Sequence, residues 1–283
     1  MRGADSRRIA LAGSSMTRAG AQRPALRTVF ISDVHLGYRG CQAERLLEFL
    51  AALDTERLVL LGDIIDVQSL RRSFYWPAAH QAVLRRIVAL ARAGTRVVYV
   101  PGNHDEDLRE FCGADFMGVE VVRDFIHETA DGRRLLVVHG DEFDGAVKFS
   151  GALKHFGEWM YDGMLWLGAG VQRVRRRLGL GHWSLATWVK QRVPDARRYI
   201  ERFEQAAAHA ARRHGLDGIV CGHIHLPALR EVDGIQYCND GDWVEHGSAL
   251  AEGIDGRLFL VGLDDLPGRA GVPAAPVALP TAA

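Results

Sequence analysis

The sequence predicts an α+β fold in which two sheets pack as a sandwich and helices cover the outside. Strand and helix patterns alternate in the first part of the chain and hairpins follow in the later part, the order expected of such a sandwich. The composition is 48% hydrophobic and 25% charged, an ordinary mix for a chain that buries a large core. The 283 residues fit one domain, because α/β and two-layer β folds commonly reach about 250 residues.

The first part of the chain alternates buried strands with amphipathic helices. Each predicted strand is a short apolar run that stops at a polar residue, and each predicted helix repeats its apolar residues at helical spacing. Pro77 suits the first turn of a helix, and Gly94 supplies a C-terminal stop. In order, we expect a strand at 28–31, a helix at 42–53, a strand at 57–61, a helix from 77 to 94 and a strand at 96–100.

The second part of the chain is rich in hairpins and contains one long helical stretch. Strands are predicted at 119–122, 125–129 and 134–138, the last two joined by an Asp131-Gly132 turn. From 144 to about 215 the apolar period becomes helical, and we interpret this stretch as a helical cap inserted in the domain. Further strands are expected at 218–221, 228–232, 235–238, 249–253 and 257–263.

Both ends of the chain lack a pattern that could pack. Residues 1–26 contain several arginines and only a brief apolar patch, which is too short for the core of a secretory signal. The last residues are rich in Pro, Ala and Gly. We therefore expect a flexible leader at 1–26, a domain at 27–265 and a disordered tail at 266–283. No run of about eighteen apolar residues is present, so no membrane-spanning helix is predicted.

Charge and cysteine content narrow the classes of function. Lys plus Arg total 35 and Asp plus Glu total 35, so the chain gives no strong nucleic-acid signal. The 4 cysteines form no Cys-x-x-Cys pair, which argues against a structural zinc site or a redox motif. A reducing cytoplasm fits these cysteines, and the sequence leaves the oligomeric state open.

Five polar motifs follow predicted strands. Because side chains alternate along a strand, two residues separated by one position should point to the same face, as in Asp-x-His and His-x-His. Glycines beside the polar residues allow the sharp turns that let side chains converge. The motifs are Asp33-Val34-His35, Gly62-Asp63, Gly102-Asn103-His104-Asp105, His139-Gly140 and Gly222-His223-Ile224-His225.

Seven of these side chains are candidate metal ligands. They exceed what one ion requires, and two ions that share the carboxylate of Asp63 would use them all. Carboxylate, amide and imidazole donors suit manganese, iron or zinc better than calcium, and we expect manganese. Two ions about 3.5–4 Å apart activate water and clamp the oxygens of a displacement at phosphorus. The candidates are Asp33, His35, Asp63, Asn103, His139, His223 and His225.

His104 and Asp105 are candidate catalytic residues. His104 lies next to the candidate ligand Asn103 but need not bind metal itself, so it could stabilise the transition state or protonate the leaving oxygen. Either Asp105 or Asp66 could orient it.

In this order the motifs resemble those of the calcineurin-like metallophosphoesterases, whose pattern is D-x-H, GD, GNH[DE], H and GHxH. The match extends from Asp33 to His225. The resemblance implies a four-layer α/β/β/α sandwich with His104 as the catalytic histidine. It also implies one metal held by Asp33, His35, Asp63 and His225, and a second held by Asp63, Asn103, His139 and His223.

A narrower resemblance concerns the substrate. The chain length, the helical segment and Gly241-Asp242-Trp243 followed by Gly247-Ser248 are similar to the UDP-2,3-diacylglucosamine pyrophosphatases of lipid A synthesis. The chain differs from them in carrying His104 where they usually have arginine. This resemblance implies a phosphorylated substrate of the nucleotide-linked lipid type.

Three interpretations therefore stay open at the level of sequence. The first is hydrolysis of such a lipid precursor, and the second is a phosphodiesterase or phosphoprotein phosphatase of broad scope. The third is a non-catalytic, metal-bearing scaffold. An apolar patch at 159–167 is a candidate for acyl-chain binding or for peripheral contact with the inner membrane, and packing of the cap onto the domain is the alternative.

Overall fold

Two sheets lie face to face in the computed structural model, which describes residues 26–146 and 192–265. The strands in chain order are β1 (Leu26–Ile31), β2 (Thr55–Leu61), β3 (Arg96–Val100), β4 (Asp115–Phe116), β5 (Val119–Val121), β6 (Phe125–Glu128), β7 (Arg134–Val137), β8 (Gly218–Cys221), β9 (Ala228–Val232), β10 (Ile235–Asn239), β11 (Ser248–Gly253) and β12 (Leu258–Gly262). The helices are α1 (Ala43–Ala52), α2 (Val67–Arg72), α3 (Ala78–Arg92) and α4 (Pro194–Arg213), and 3₁₀ helices cover Glu106–Phe111, Asp141–Ala146 and Leu263–Asp265.

The strand order brings the polar motifs together. One sheet has seven strands in the order β12-β11-β1-β2-β3-β5-β4, and the other has five in the order β6-β7-β8-β10-β9. Strands β1, β2, β3 and β5 run parallel, as do β7, β8 and β10. The carboxyl ends of parallel strands meet at one edge, which is where open α/β sheets bind ligands. The polar motifs follow β1, β2, β3, β7 and β8, all at such ends.

Apolar side chains form a core on each side of both sheets. Helices α1 and α3 cover the outer face of the seven-stranded sheet with residues such as Leu46, Phe49 and Val83. Helix α4 covers the five-stranded sheet with Phe203 and Ala207. The layers are therefore α/β/β/α, and the predicted fold class is confirmed. The core between the sheets includes Phe30, Val59, Leu61, Leu135, Val137, Val220 and Leu250.

Helix α2 and the short strand β4 are not part of the sequence prediction. No residue of α2 is buried, so the helix carries no apolar stripe that a pattern search could detect. It begins because the carboxylate of Asp66 accepts a hydrogen bond from the Ser69 backbone N–H at 2.7 Å, which satisfies a free donor of the first turn. The same hydrogen bond holds the side chain of Asp66, which follows the Gly62-Asp63 motif by three residues.

Part of the predicted organisation falls on residues that the structure leaves undescribed. Helix α4 lies within the predicted cap at 144–215, but residues 147–191, with the apolar patch at 159–167, lie outside the described residues. The predicted tail at 266–283 and nearly all of the predicted leader at 1–26 lie outside them as well. Among the described residues, none of the helices combines the length and the apolar character that crossing a bilayer requires.

A buried polar bridge at Glu252 in β11 joins the two sheets. Its carboxylate lies 2.8 Å from His127 Nε2 and 2.6 Å from Arg27 Nη1, and it accepts a hydrogen bond from the Ala130 backbone N–H. Burial opposes ionisation of Glu252, but these partners lower its pKa to about 2. A depressed carboxylate pKa gives stability that is complete above the ordinary pKa and is lost as the pH falls through the lowered one.

We expect Glu252→Gln to lower the free energy of unfolding by about 3 kcal/mol at neutral pH, because the substitution removes one charge of a buried ionic network. Urea unfolding should show this deficit shrinking as the pH is lowered from 7 towards 3, since the Glu252 carboxylate of the unfolded wild-type chain, with its ordinary pKa, takes up a proton before that of the folded protein does. Glu56→Gln, at an exposed position of β2, is the matched control. A deficit that stays constant on acidification would contradict the assignment.

Candidate metal centre

The polar residues at the strand ends adopt an unusual backbone conformation. Asp33, His35, Asp63, His223 and His225 have φ values of 51°, 54°, 53°, 68° and 49°. Non-glycine residues rarely occupy this left-handed region, and where they do the strain commonly marks a functional site. Asp33 and His35 do come together as expected, but strand alternation is not what aligns them. These residues follow the strands, and left-handed turns direct their side chains.

Asp33, His35 and His225 form the first group of potential ligand atoms, all within 4.8 Å of one another. His225 Nε2 lies 3.1 Å from Asp33 Oδ1 and 3.3 Å from His35 Nε2. Asp63 Oδ2 lies 3.9 Å from His35 Nε2. The four side chains predicted to hold one metal therefore surround one small volume.

Asp63, His139 and His223 form a second group with the same mutual spacing. His139 Nε2 lies 3.4 Å from Asp63 Oδ2 and 3.3 Å from Asn103 Oδ1. The predicted second ligand set is thus also assembled, and Asp63 stands between the two groups. All seven candidate ligands converge at the same edge of the sandwich, and their binding of metal stays a prediction.

Hydrogen bonds behind the histidines orient their rings. His35 Nδ1 lies 3.1 Å from Asp66 Oδ2, and His139 Nδ1 lies 2.8 Å from the Leu61 carbonyl oxygen. A histidine that donates one ring N–H to an oxygen presents the lone pair of its other nitrogen to a cation. Both rings therefore direct Nε2 into the cluster, which is the arrangement of metal-binding imidazoles.

The two catalytic candidates occupy different environments. His104 is partly exposed, and its Nδ1 lies 3.1 Å from Asp66 Oδ1. Asp105 is fully buried, and its carboxylate accepts hydrogen bonds from the backbone N–H groups of Gly102 and Ile64 and from the Tyr99 hydroxyl. Of the two aspartates that could orient His104, the structure places Asp66 beside it. The hydrogen bonds of Asp105 instead stabilise the loop that carries Asn103 and His104.

The electrostatics of the cluster favour positive charge. Burial opposes ionisation of Asp63, yet His139, His35 and His104 hold its pKa well below the ordinary value. Burial also opposes protonation of His35, yet nearby carboxylates, Asp66 foremost, raise the pKa of that imidazole to about 9. Buried carboxylates and imidazoles that stabilise positive charge in this way fit divalent cations of the manganese, iron and zinc type.

Asp240 and Ser32 belong to this site but are not among the predicted residues. Ser32 Oγ lies 2.5 Å from Asp33 Oδ2 and 2.6 Å from Asp240 Oδ1. Burial and the nearby charge of Asp33 raise the pKa of Asp240 well above its ordinary value. The available sequence signal is that Asp240 follows β10, the strand next to β8, at the same edge of the sheet.

Gly102 is required for the approach of the Asn103 loop to Asp63. A Cβ atom at this position would lie 2.3 Å from Asp63 Oδ1 and 2.7 Å from the Asp63 backbone nitrogen. We expect Gly102→Ala to lower kcat/KM by about 100-fold, because a displacement of roughly 1 Å in a catalytic constellation costs that much. Steady-state kinetics at saturating manganese would measure the loss.

Gly145→Ala is the matched control, since no atom of residues 26–146 or 192–265 lies within 4 Å of a Cβ placed there. The two variants carry the same chemical change, so a difference between them isolates the steric effect at Asp63. Equal activity of Gly102→Ala and Gly145→Ala would show that the loop position is not limiting.

The two-sheet sandwich and the cluster at its strand ends define the class of a metal-dependent phosphoesterase. The chain belongs to the calcineurin-like phosphoesterase family, whose family profile matches residues 26–227. It is therefore a hydrolase that acts on phosphate esters or anhydrides. The family uses a site for two divalent metal ions, and the His and Asp clusters described above are where this chain would hold them.

The chain is also similar to curated proteins and to a solved structure. The chain is 26% identical over 237 residues to a UDP-2,3-diacylglucosamine hydrolase of Aeromonas salmonicida, covering 79% of this chain and 88% of that protein. A protein of the same name from Xanthomonas campestris is 28% identical over 249 residues, covering 81% and 96%. The phosphopantetheinyl hydrolase of Mycobacterium tuberculosis is similar in structure, with 17% identity, a TM-score of 0.43 and coverage of 89% and 100%.

Proposed function

We propose that the protein hydrolyses a phosphoanhydride in a nucleotide-linked lipid precursor of the UDP-diacylglucosamine type. The observation that carries the hydrolytic part is the convergence of the ligand groups around Asp63. The names of the relatives from Aeromonas salmonicida and Xanthomonas campestris support the substrate class.

Two divalent ions, with manganese favoured over iron or zinc, complete the proposed site. When bound, such ions lower the pKa of a coordinated water and stabilise the charge that develops at phosphorus. Asp33, His35, Asp63 and His225 would hold the first ion. Asp63, Asn103, His139 and His223 would hold the second. The assignment follows the two spatial groups, with Asp63 Oδ2 lying 3.9 Å from His35 Nε2 of the first and 3.4 Å from His139 Nε2 of the second.

His104 is the residue we assign to the leaving oxygen. Its Nδ1 lies beside Asp66, so the ring is oriented by that carboxylate and Nε2 remains for the substrate. A positioned imidazole can give a proton to the departing oxygen in the transition state. We assign Asp66 the role of orienting His104 and Asp105 the role of holding the loop, because both oxygens of Asp105 already accept hydrogen bonds.

The test is a comparison of substrates with manganese-loaded protein. UDP-2,3-diacylglucosamine should yield UMP with a kcat/KM well above that for a generic aryl phosphodiester or a phosphopeptide. Turnover of the nucleotide lipid no faster than that of the aryl diester would reject the lipid assignment in favour of a broad-scope phosphodiesterase. Metal analysis of the protein as isolated would identify the ions.

A further inference from the structure

His223 is held differently from the other histidines of the centre. Its Nε2 lies 3.0 Å from Asp144 Oδ1, whereas His35 and His139 make their outer hydrogen bonds through Nδ1. A ring that donates Nε2–H to a carboxylate keeps Nδ1 for a cation. Asp144 therefore fixes which nitrogen His223 presents to the second ligand group.

Helix α4 supplies the next contact outward. The Tyr199 hydroxyl donates a hydrogen bond of 2.7 Å to Asp144 Oδ1, the same oxygen that faces His223. Tyr199 and Asp144 are 55 positions apart in the chain, so this contact is tertiary. A carboxylate held by two donors has less freedom to rotate than one held by His223 alone, and the imidazole is oriented accordingly.

Helix α4 also packs a ring against the same histidine. Phe203 is fully buried, and its ring stacks on that of His223 with centroids 6.0 Å apart and an interplanar angle of 30°. A Cβ at Gly140 would lie 3.0 Å from Phe203 Cζ, so the helix also presses on the turn after His139. Helix α4 thus contacts His223 directly and also the turn that follows His139, the other histidine of the second ligand group.

We propose that two residues of α4 position His223 and set the affinity of the second metal position: Tyr199, acting through Asp144, and Phe203, stacking directly on the ring. The inference rests on the proposed function, since it requires two ions. The first position, formed by Asp33, His35 and His225, receives its outer hydrogen bond from Asp66 and depends on different elements. Weakening the α4 contacts should therefore lower the affinity for the second ion and leave the affinity for the first unchanged.

Tyr199→Phe tests the proposal, because it removes one hydroxyl and keeps the ring that packs near Phe203. Equilibrium dialysis against manganese, with the bound metal counted, should give two ions for the wild type. In the variant the second ion should bind about 10-fold more weakly and the first unchanged, as expected for loss of an outer-shell contact. Hydrolysis should fall at limiting manganese and recover when manganese is saturating.

Asp195→Asn, at an exposed position on the same helix, is the matched control. Phe203→Leu is a second variant that keeps an apolar side chain but removes the stacked ring, and it should also weaken the second ion alone. If Tyr199→Phe and Phe203→Leu both bind two ions as tightly as Asp195→Asn does, the inference is overturned while the proposed function stands. A wild type that binds fewer than two ions would overturn both.

Discussion

Asp63→Asn is expected to lose metal and activity together. The side chain lies between the two ligand groups, with Oδ2 3.4 Å from His139 Nε2 and 3.9 Å from His35 Nε2. Removing its charge weakens both metal positions at once, whereas each of the other predicted ligands belongs to only one position. We expect kcat/KM to fall by more than about 1000-fold, since the ions supply several kcal/mol of transition-state stabilisation and about 1.4 kcal/mol corresponds to a factor of ten.

Thermal unfolding gives a readout that is independent of turnover. Manganese should raise the Tm of the wild type, because a ligand that binds only the folded state stabilises it, and it should raise that of Asp63→Asn little. Asp107→Asn, whose carboxylate is exposed and pairs with Arg71, should behave as wild type in both assays. A variant at Asp63 that still holds two ions would remove this residue from the bridging role.

Local sequence patterns predict the fold and predict which residues come together at the site. Each motif comes after an apolar run such as the one at 57–61, and parallel strands bring their carboxyl ends to one edge. We can therefore predict that the motifs lie close together in the fold without knowing where their side chains point. The apolar spacing of Ile200, Phe203 and Ala207 likewise indicates a helix with one buried face, and these residues are buried in α4.

The geometry within the site does not follow from those patterns. Alternation along a strand would align Asp33 with His35, but both residues have left-handed backbone conformations, which the tertiary structure imposes against local preference. The choice between Asp66 and Asp105 as the partner of His104 depends on where α2 begins. That helix has no buried residue and leaves no periodic signal. Contacts between distant segments, such as that of Tyr199 with Asp144, have no local signature either.

His104→Ala is expected to reduce turnover while the protein keeps its metal. His104 lies outside the two predicted ligand sets, and its backbone N–H donates to Asp63 Oδ1 at 2.7 Å, a contact that alanine preserves. Loss of a positioned general acid typically costs about 10²–10⁴ in rate. We expect kcat to fall by about 100-fold or more with two manganese ions still bound, as measured by steady-state kinetics alongside metal analysis.

The size of that loss should depend on the leaving group, which distinguishes proton donation from a general disturbance of the site. An aryl oxygen departs without much help, whereas an alkyl oxygen needs a proton, so the variant should lose far more activity on an alkyl phosphodiester than on an aryl one. His209→Ala, at an exposed position of α4, controls for the substitution itself. An equal loss on aryl and alkyl esters would assign His104 to charge stabilisation at phosphorus, because that role is common to both substrates.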